Sequence, residues 1–213
     1  MTTFLLIVIA VISYFLGGFN GSIISSKYIF KKDIRDYGSG NAGLTNFFRI
    51  FGIGGMALVV AVDVIKSVIA VLIGSLLLGI VGQLVIGKLF AGFCLALGHA
   101  YPAMYSLRGG KSVLCSAVLV FLVDWRVGIA CVVVFVVAVA FTRFVSLGAV
   151  SASVVFPLGI WIFGYGWLAG FLALFVSLLV VFAHRANIMR LIAGNENKLE
   201  LNLHPQSGRD SRP

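Results

Sequence analysis

Charge is scarce in this chain, and negative charge most of all. The 213 residues include 16 Lys and Arg but only 7 Asp and Glu, and charged residues make up 11% of the total, against roughly 25% in an ordinary soluble domain. With 61% hydrophobic residues and a mean hydropathy of +1.10, that shortage excludes a soluble globular class. It predicts an all-α, polytopic membrane protein. The few carboxylates are scattered, so they supply no cluster of the kind that metal-dependent headgroup chemistry needs. Cysteine is equally sparse. Cys94, Cys115 and Cys131 are odd in number and sit in apolar surroundings, which predicts small buried hydrophobes rather than disulfides or nucleophiles.

Other absences narrow the class further. No internal repeat is found, which argues against a transporter built from repeated halves around a mid-membrane site. The first apolar stretch, Phe4 to Phe19, has no basic n-region and runs into Gly-Phe-Asn-Gly-Ser rather than a small-residue cleavage site, so it reads as a retained span. Neither His99 nor His184 is followed five residues later by Asp, with Met104 and Met189 in those places; the signature of acyltransferases that draw on acyl-CoA or acyl-carrier protein is therefore missing.

A span needs ~20 apolar residues to cross ~30 Å of hydrocarbon, and in lipid only helices satisfy their own backbone without closing into a barrel. Gly, Pro and charge then divide the chain into seven expected helical spans, at 4–28, 54–79, 84–105, 112–124, 126–142, 145–163 and 167–190. The break between the fourth and fifth is carried by Asp124-Trp125-Arg126 alone. Seven spans place 13 of the 16 Lys and Arg on one side, with Lys66 and Lys88 inside spans and Arg126 opposite. The positive-inside rule then puts the N-terminus outside and the C-terminus in the cytoplasm. A net charge of +9 follows from basic loops facing anionic lipid and requires no nucleic acid. Residues 1–198 read as one integral-membrane domain and 199–213 as a polar tail.

Three polar clusters fall on the cytoplasmic side of this topology. The first runs from Asp33 to Arg49, where glycines allow close backbone approach, Ser39, Asn41, Thr45 and Asn46 add neutral donors, and Arg35 and Arg49 add charge suited to phosphate oxygens. The second is Gly98-His99 with Pro102, then Arg108-Gly109-Gly110-Lys111-Ser112 opening a helix, whose free N–H groups and partial positive charge favour an anion. The full P-loop spacing is absent. The third, at the end of the last span, places His184, Asn187 and Leu191 on one helical face, with Asn187 and Arg190 adjacent.

In their order and separation these clusters resemble the motifs of the bacterial acyl-phosphate:glycerol-3-phosphate acyltransferase family, the PlsY type. The resemblance covers nearly the whole chain, with Gly21-Ser22-Ile23, Asp63-Val64-Ile65-Lys66, Arg143 with Ser146, and Glu196-Asn197-Lys198 as further matches. Three departures lie inside the motifs: Ile24 replaces the usual proline, Ser67 a glycine, and Gly109-Gly110-Lys111-Ser112-Val113-Leu114-Cys115 stands where Gly-Gly-Lys-Gly-Val-Ala-Thr is usual. Ser112 bears on donor affinity if its position needs φ > 0.

The resemblance implies transfer of a fatty acyl group from acyl-phosphate to the 1-hydroxyl of glycerol 3-phosphate, at the cytoplasmic face of a bacterial inner membrane, with no cofactor and no metal. It implies catalytic roles for His184, Asn187 and Lys111, and substrate binding by Ser39, Gly40, Asn41, Thr45, Asn46, Arg49, Gly109, Gly110, Arg143, Ser146 and Arg190. The Gly109 and Gly110 amides are expected to hold the acyl-phosphate. Both His184 and the donor's own phosphate are candidate bases. His99 is expected to brace its loop, Asp63 and Lys66 to pair or to touch substrate, and Glu196 to brace the first or second loop.

Overall fold

In a computed structural model that describes residues 1–199, every regular element is helical. The chain runs α1 (Thr2–Gly18), α2 (Gly21–Tyr28), α3 (Leu44–Phe51), α4 (Met56–Gly79), α5 (Leu84–Ala100), α6 (Val113–Val123), α7 (Trp125–Thr142), α8 (Val145–Ile162), α9 (Trp167–Ala183) and α10 (Arg185–Ile192). Each of the seven expected spans contains a helix, but not all are full spans. Five segments are long and apolar enough to cross a bilayer, and a sixth if α9 and α10, bent by 59°, count as one. Helix α6 has 11 residues, about 16 Å of rise, roughly half the hydrocarbon thickness.

Two breaks have identifiable causes. Asp124 is extended and caps α7, accepting from Arg126 N–H at 2.8 Å and from its guanidinium at 2.6 Å, while the Tyr165 hydroxyl donates to the same carboxylate at 2.9 Å. A capped N-terminus here splits 112–142 into two helices. The first expected span is also broken, at Phe19-Asn20. Lys66 Nζ donates to Gly17 O at 3.1 Å and Phe19 O at 2.9 Å, satisfying the carbonyl end of α1. Asp63 accepts from Gly21 N–H at 3.2 Å, at the amide end of α2. Asp63 and Lys66 pair at 2.8 Å, both buried, so the intramembrane ion pair that the spacing suggested is a clamp on a helix break.

Helices α4 and α5 meet backbone to backbone. A Cβ on Gly87 would lie 2.0 Å from Gly74 O, and one on Gly74 2.2 Å from Gly87 O; small residues let helices approach closely where lipid offers no hydrophobic drive. Gly74→Ala is therefore expected to destabilise the protein by about 1–3 kcal/mol, read as a lowered thermal midpoint in detergent. The main core joins Val71, Leu89, Leu119, Val127, Phe156, Ile160 and Ala173 across α4 to α9. It leaves the first loop, the 101–112 segment, α10 and residues 193–199 gathered at one end of the bundle.

Candidate active site

The first loop is held by two side chains that the sequence offered as anion ligands. Arg35 donates to Asp33 at 2.9 and 2.7 Å and to Tyr105 O at 2.9 Å, and its hydrogen bonds hold the Asp33 carboxyl far below the usual range. It braces the loop and is not free for phosphate. Asn46 is similarly engaged: its Oδ1 accepts from Ser39 N–H, and its Nδ2 donates to Tyr37 O and Asn41 O, each at 3.1 Å. What the loop leaves open are the Ser39 and Thr45 hydroxyls and Arg49, none bonded to any described residue. The N-terminus of α3 follows Gly43 with no side-chain cap.

Gly109 and Gly110 overturn one expectation. Their N–H groups donate to Ala100 O at 3.1 Å and His99 O at 3.0 Å, so these amides are not available to an acyl-phosphate. The glycines are required by packing instead. A Cβ at 109 would come 2.0 Å from His99 O, and one at 110 would come 2.2 Å from His99 Nε2. Ser112 precedes α6 at φ 61°, the left-handed conformation in which glycine costs least, and its hydroxyl donates to Ala96 O at 2.7 Å. The first N–H groups of α6 have no helical partner and no side-chain cap, and Ser112, Val113 and Leu114 line the cavity described below.

Glu196 is the hub of the third cluster. Its Oε1 accepts from Asn187 Nδ2 at 2.6 Å and Ser146 Oγ at 2.8 Å, and its Oε2 from Arg190 Nε at 2.8 Å. It thus braces α8 and α10 rather than the first or second loop. Burial pushes its carboxyl up, but these hydrogen bonds outweigh burial and hold it below the ordinary value. Asn187, with its amide committed to Glu196, turns Oδ1 to accept from Lys111 Nζ. Burial pushes the Lys111 ammonium down to about 8, Glu196 opposing the shift and the Arg190 and Arg49 charges adding to it. His184 Nδ1 lies 2.8 Å from Val180 O. A carbonyl only accepts, so Nδ1 carries the proton and Nε2 of the neutral ring is an acceptor.

One cavity of about 360 Å³ brings these groups together. Ser39, Asn41, Thr45, Asn46, Arg49, Lys111, Ser146, His184, Asn187 and Arg190 line it; Gly40, Gly109, Gly110 and Arg143 do not. Gly40 turns the loop at φ 69°. Arg143 tethers the C-terminal segment, its guanidinium donating to Leu199 O at 3.0 Å and its carbonyl accepting from Leu199 N–H at 2.7 Å. Below the polar end the wall is apolar, with Leu114, Phe121, Phe135, Ala149, Phe156 and Val180 from α6 to α9. Sequence reasoning did not find these wall residues, because a run of apolar residues looks alike whether it faces lipid or a cavity. Among the described residues one group, Asp63, His99 and Cys115, has the types and spacing to hold a metal. The Lys66 ammonium lies 2.8 Å from both Asp63 Oδ1 and His99 Nδ1, so a cation already occupies that group.

Comparison with known proteins agrees with this geometry. A family model described as glycerol-3-phosphate acyltransferase matches residues 7–194. A glycerol-3-phosphate acyltransferase of Thermoanaerobacter pseudethanolicus is 41% identical over 190 residues, covering 89% of this chain and 93% of that protein. One from Clostridioides difficile is 40% identical, covering 93% and 98%. The crystal structure of PlsY (YgiH), an integral membrane glycerol 3-phosphate acyltransferase, in its glycerol 3-phosphate form superposes with a TM-score of 0.81 at 29% identity, over 92% of this chain and 96% of that one. With its helical membrane fold, its cation-lined cavity and a match along nearly its whole length, this chain belongs to the glycerol-3-phosphate acyltransferase family.

Proposed function

We propose that this protein acylates the 1-hydroxyl of glycerol 3-phosphate with acyl-phosphate as donor, releasing 1-acylglycerol 3-phosphate (lysophosphatidic acid) and inorganic phosphate. The observation that carries the reading is the two-ended cavity. Arg49, Lys111 and Arg190 meet the Ser39 and Thr45 hydroxyls at one end, and aromatic and aliphatic side chains of four helices line the other. A phosphate fits the first and a fatty acyl chain the second.

In this reading Arg49, Lys111 and Ser39 bind the phosphate of glycerol 3-phosphate, Ser146, whose O–H is given to Glu196, accepts from a glycerol hydroxyl, and the uncapped amides of α3 and α6 take the place of the Gly109 and Gly110 amides as neutral anion donors. The glycerol hydroxyl oxygen attacks the acyl carbonyl carbon, a C–O bond forms, and the bond from that carbon to the phosphate oxygen breaks. The hydroxyl proton passes to His184 Nε2 or to the departing phosphate. Asn187 fixes Lys111, and Glu196 fixes Asn187. An acyl-phosphate is a mixed anhydride with a good leaving group, so orientation and charge stabilisation suffice without a protein nucleophile or a metal.

The same proposal keeps seven membrane helices in a bacterial inner membrane, the 11-residue α6 being a short one packed within the bundle, with the N-terminus outside and the site facing the cytoplasm. Residues 1–198 form one domain; of the polar tail, all but Leu199 lies outside the described residues. The test uses purified protein in lipid with palmitoyl-phosphate and glycerol 3-phosphate, no added metal, and palmitoyl-CoA as the control donor. Lysophosphatidic acid and stoichiometric phosphate are expected from the acyl-phosphate alone. No product from folded protein, or equal rates with both donors, would overturn the reading.

A further inference from the structure

Two histidines line the cavity, and their hydrogen bonds give them opposite tautomers. His184 keeps its proton on Nδ1 and offers an acceptor. In His99 the Nδ1 lies 2.8 Å from Lys66 Nζ and 3.7 Å from Cys115 Sγ, and both neighbours have hydrogens to offer. Asp63 Oδ1 is 3.8 Å away, beyond hydrogen-bond reach. Lys66 cannot turn aside. Its ammonium shares three N–H groups among four acceptors, being also held by Asp63 Oδ1 at 2.8 Å, Phe19 O at 2.9 Å and Gly17 O at 3.1 Å, and a proton on Nδ1 would point straight at that cation. Nδ1 therefore accepts, and the neutral ring carries its proton on Nε2.

That Nε2–H has no acceptor among the described residues. It abuts Gly110, the residue before Lys111, where only the missing Cβ leaves room for the ring, and His99 borders the same cavity as Lys111 and Arg49. His99 Nε2 is not among the buried polar atoms left without a partner, so it opens onto the cavity, and in the reading above the ligand of this end of the cavity is an anion. We propose that His99 is a fixed N–H donor to a phosphate oxygen of bound substrate, held in that tautomer by Lys66. The inference rests on the phosphate-binding reading of the cavity above. It gives the Asp63–Lys66 pair, 49 and 33 residues from the groups it links, a second task besides closing the helix break.

Two variants separate this role from loop bracing. In His99→Asn the side-chain oxygen replaces Nδ1 and still accepts from Lys66, but nothing stands at Nε2. In His99→Gln the amide reaches the Nε2 position and Nδ1 is lost. The steady-state KM for palmitoyl-phosphate and for glycerol 3-phosphate is measured separately for each variant, with thermal midpoints alongside. His99→Asn is expected to fold normally and to raise one KM about tenfold, the loss of one hydrogen bond to a charged group, with His99→Gln near wild type. The substrate whose KM rises is the one that His99 holds.

The reverse order, or wild-type behaviour in both variants, would overturn the proposal. If both variants are impaired, wild-type protein labelled with 15N-histidine decides. A shift of the His99 Nε2–H resonance on titration with inorganic phosphate supports the contact, and an unchanged resonance overturns it. That titration needs no turnover, so it still tests His99 if the wild type forms no lysophosphatidic acid and the acyltransferase reading itself fails.

Discussion

Replacing Lys111 by alanine is expected to lower kcat/KM for glycerol 3-phosphate by at least about 100-fold, the usual cost of removing a preorganised charged donor from a phosphate or oxyanion site. The side chain is positioned twice over, by Asn187 Oδ1 and, through Asn187, by Glu196, so it meets the anion without first having to be ordered. The same burial that prepares it also makes it titrate. With the free ammonium pushed down to about 8, the cation is present below that pH and is lost above it. The KM for glycerol 3-phosphate should be flat up to about pH 8 and then climb, approaching tenfold per unit. Saturating substrate, whose phosphate holds the ammonium charged, should leave kcat without that break. In Lys111→Arg, where the guanidinium stays charged throughout, the rise in KM should vanish. A KM in the wild type that is level from pH 7 to 10 would refute the assignment.

Glu196→Ala is expected to be the most damaging change among residues that touch no substrate. Its carboxylate accepts three hydrogen bonds from two helices. Removing it leaves the Asn187 amide and the Ser146 hydroxyl without their acceptor, at about 1–3 kcal/mol each, and frees Arg190. We expect a thermal midpoint lowered by several degrees and activity reduced about 100-fold, because Asn187 then rotates away from Lys111. The pH dependence has a definite sign. The folded-state carboxyl is held below its ordinary value, so its contribution to stability is complete above the ordinary glutamate range and is lost as pH falls through the folded value. Acid should therefore destabilise the wild type more steeply than Glu196→Ala, as measured by thermal midpoints at pH 7 and pH 4. Unchanged stability and activity in Glu196→Ala would remove the hub from the mechanism.

Much of this was legible in the sequence, because it depends on composition and short-range spacing. The helical membrane class follows from hydropathy, and the break at Asp124 from a charged triplet in an apolar run and the distribution of basic residues. Residues of all three clusters line one cavity, in keeping with their expected place on one side of the membrane. Residue type alone did not separate the groups that face the cavity from those that build it. Arg35 and Arg49 stand in the same segment between α2 and α4, yet Asp33 two residues away engages the first, while the second, on α3, has no hydrogen-bond partner among the described residues. Asn46 and Thr45 are neighbours and both line the cavity, yet the Asn46 amide staples the loop and the Thr45 hydroxyl is left open. Arg143 matched a motif and serves as a tether.

Sequence by itself determined the class, the approximate places of the apolar helical stretches, the family and the set of polar residues from which the site is drawn, since these depend on hydrophobicity and on residues near one another in the chain. Only the tertiary structure decided which hydrogen bonds those residues make: that the Gly109 and Gly110 amides serve α5, that Glu196 gathers α8 and α10, and that Lys66 sets the tautomer of His99. Each of these outcomes depends on which distant acceptor comes within about 3 Å, a distance set by helix packing and not written in any local pattern.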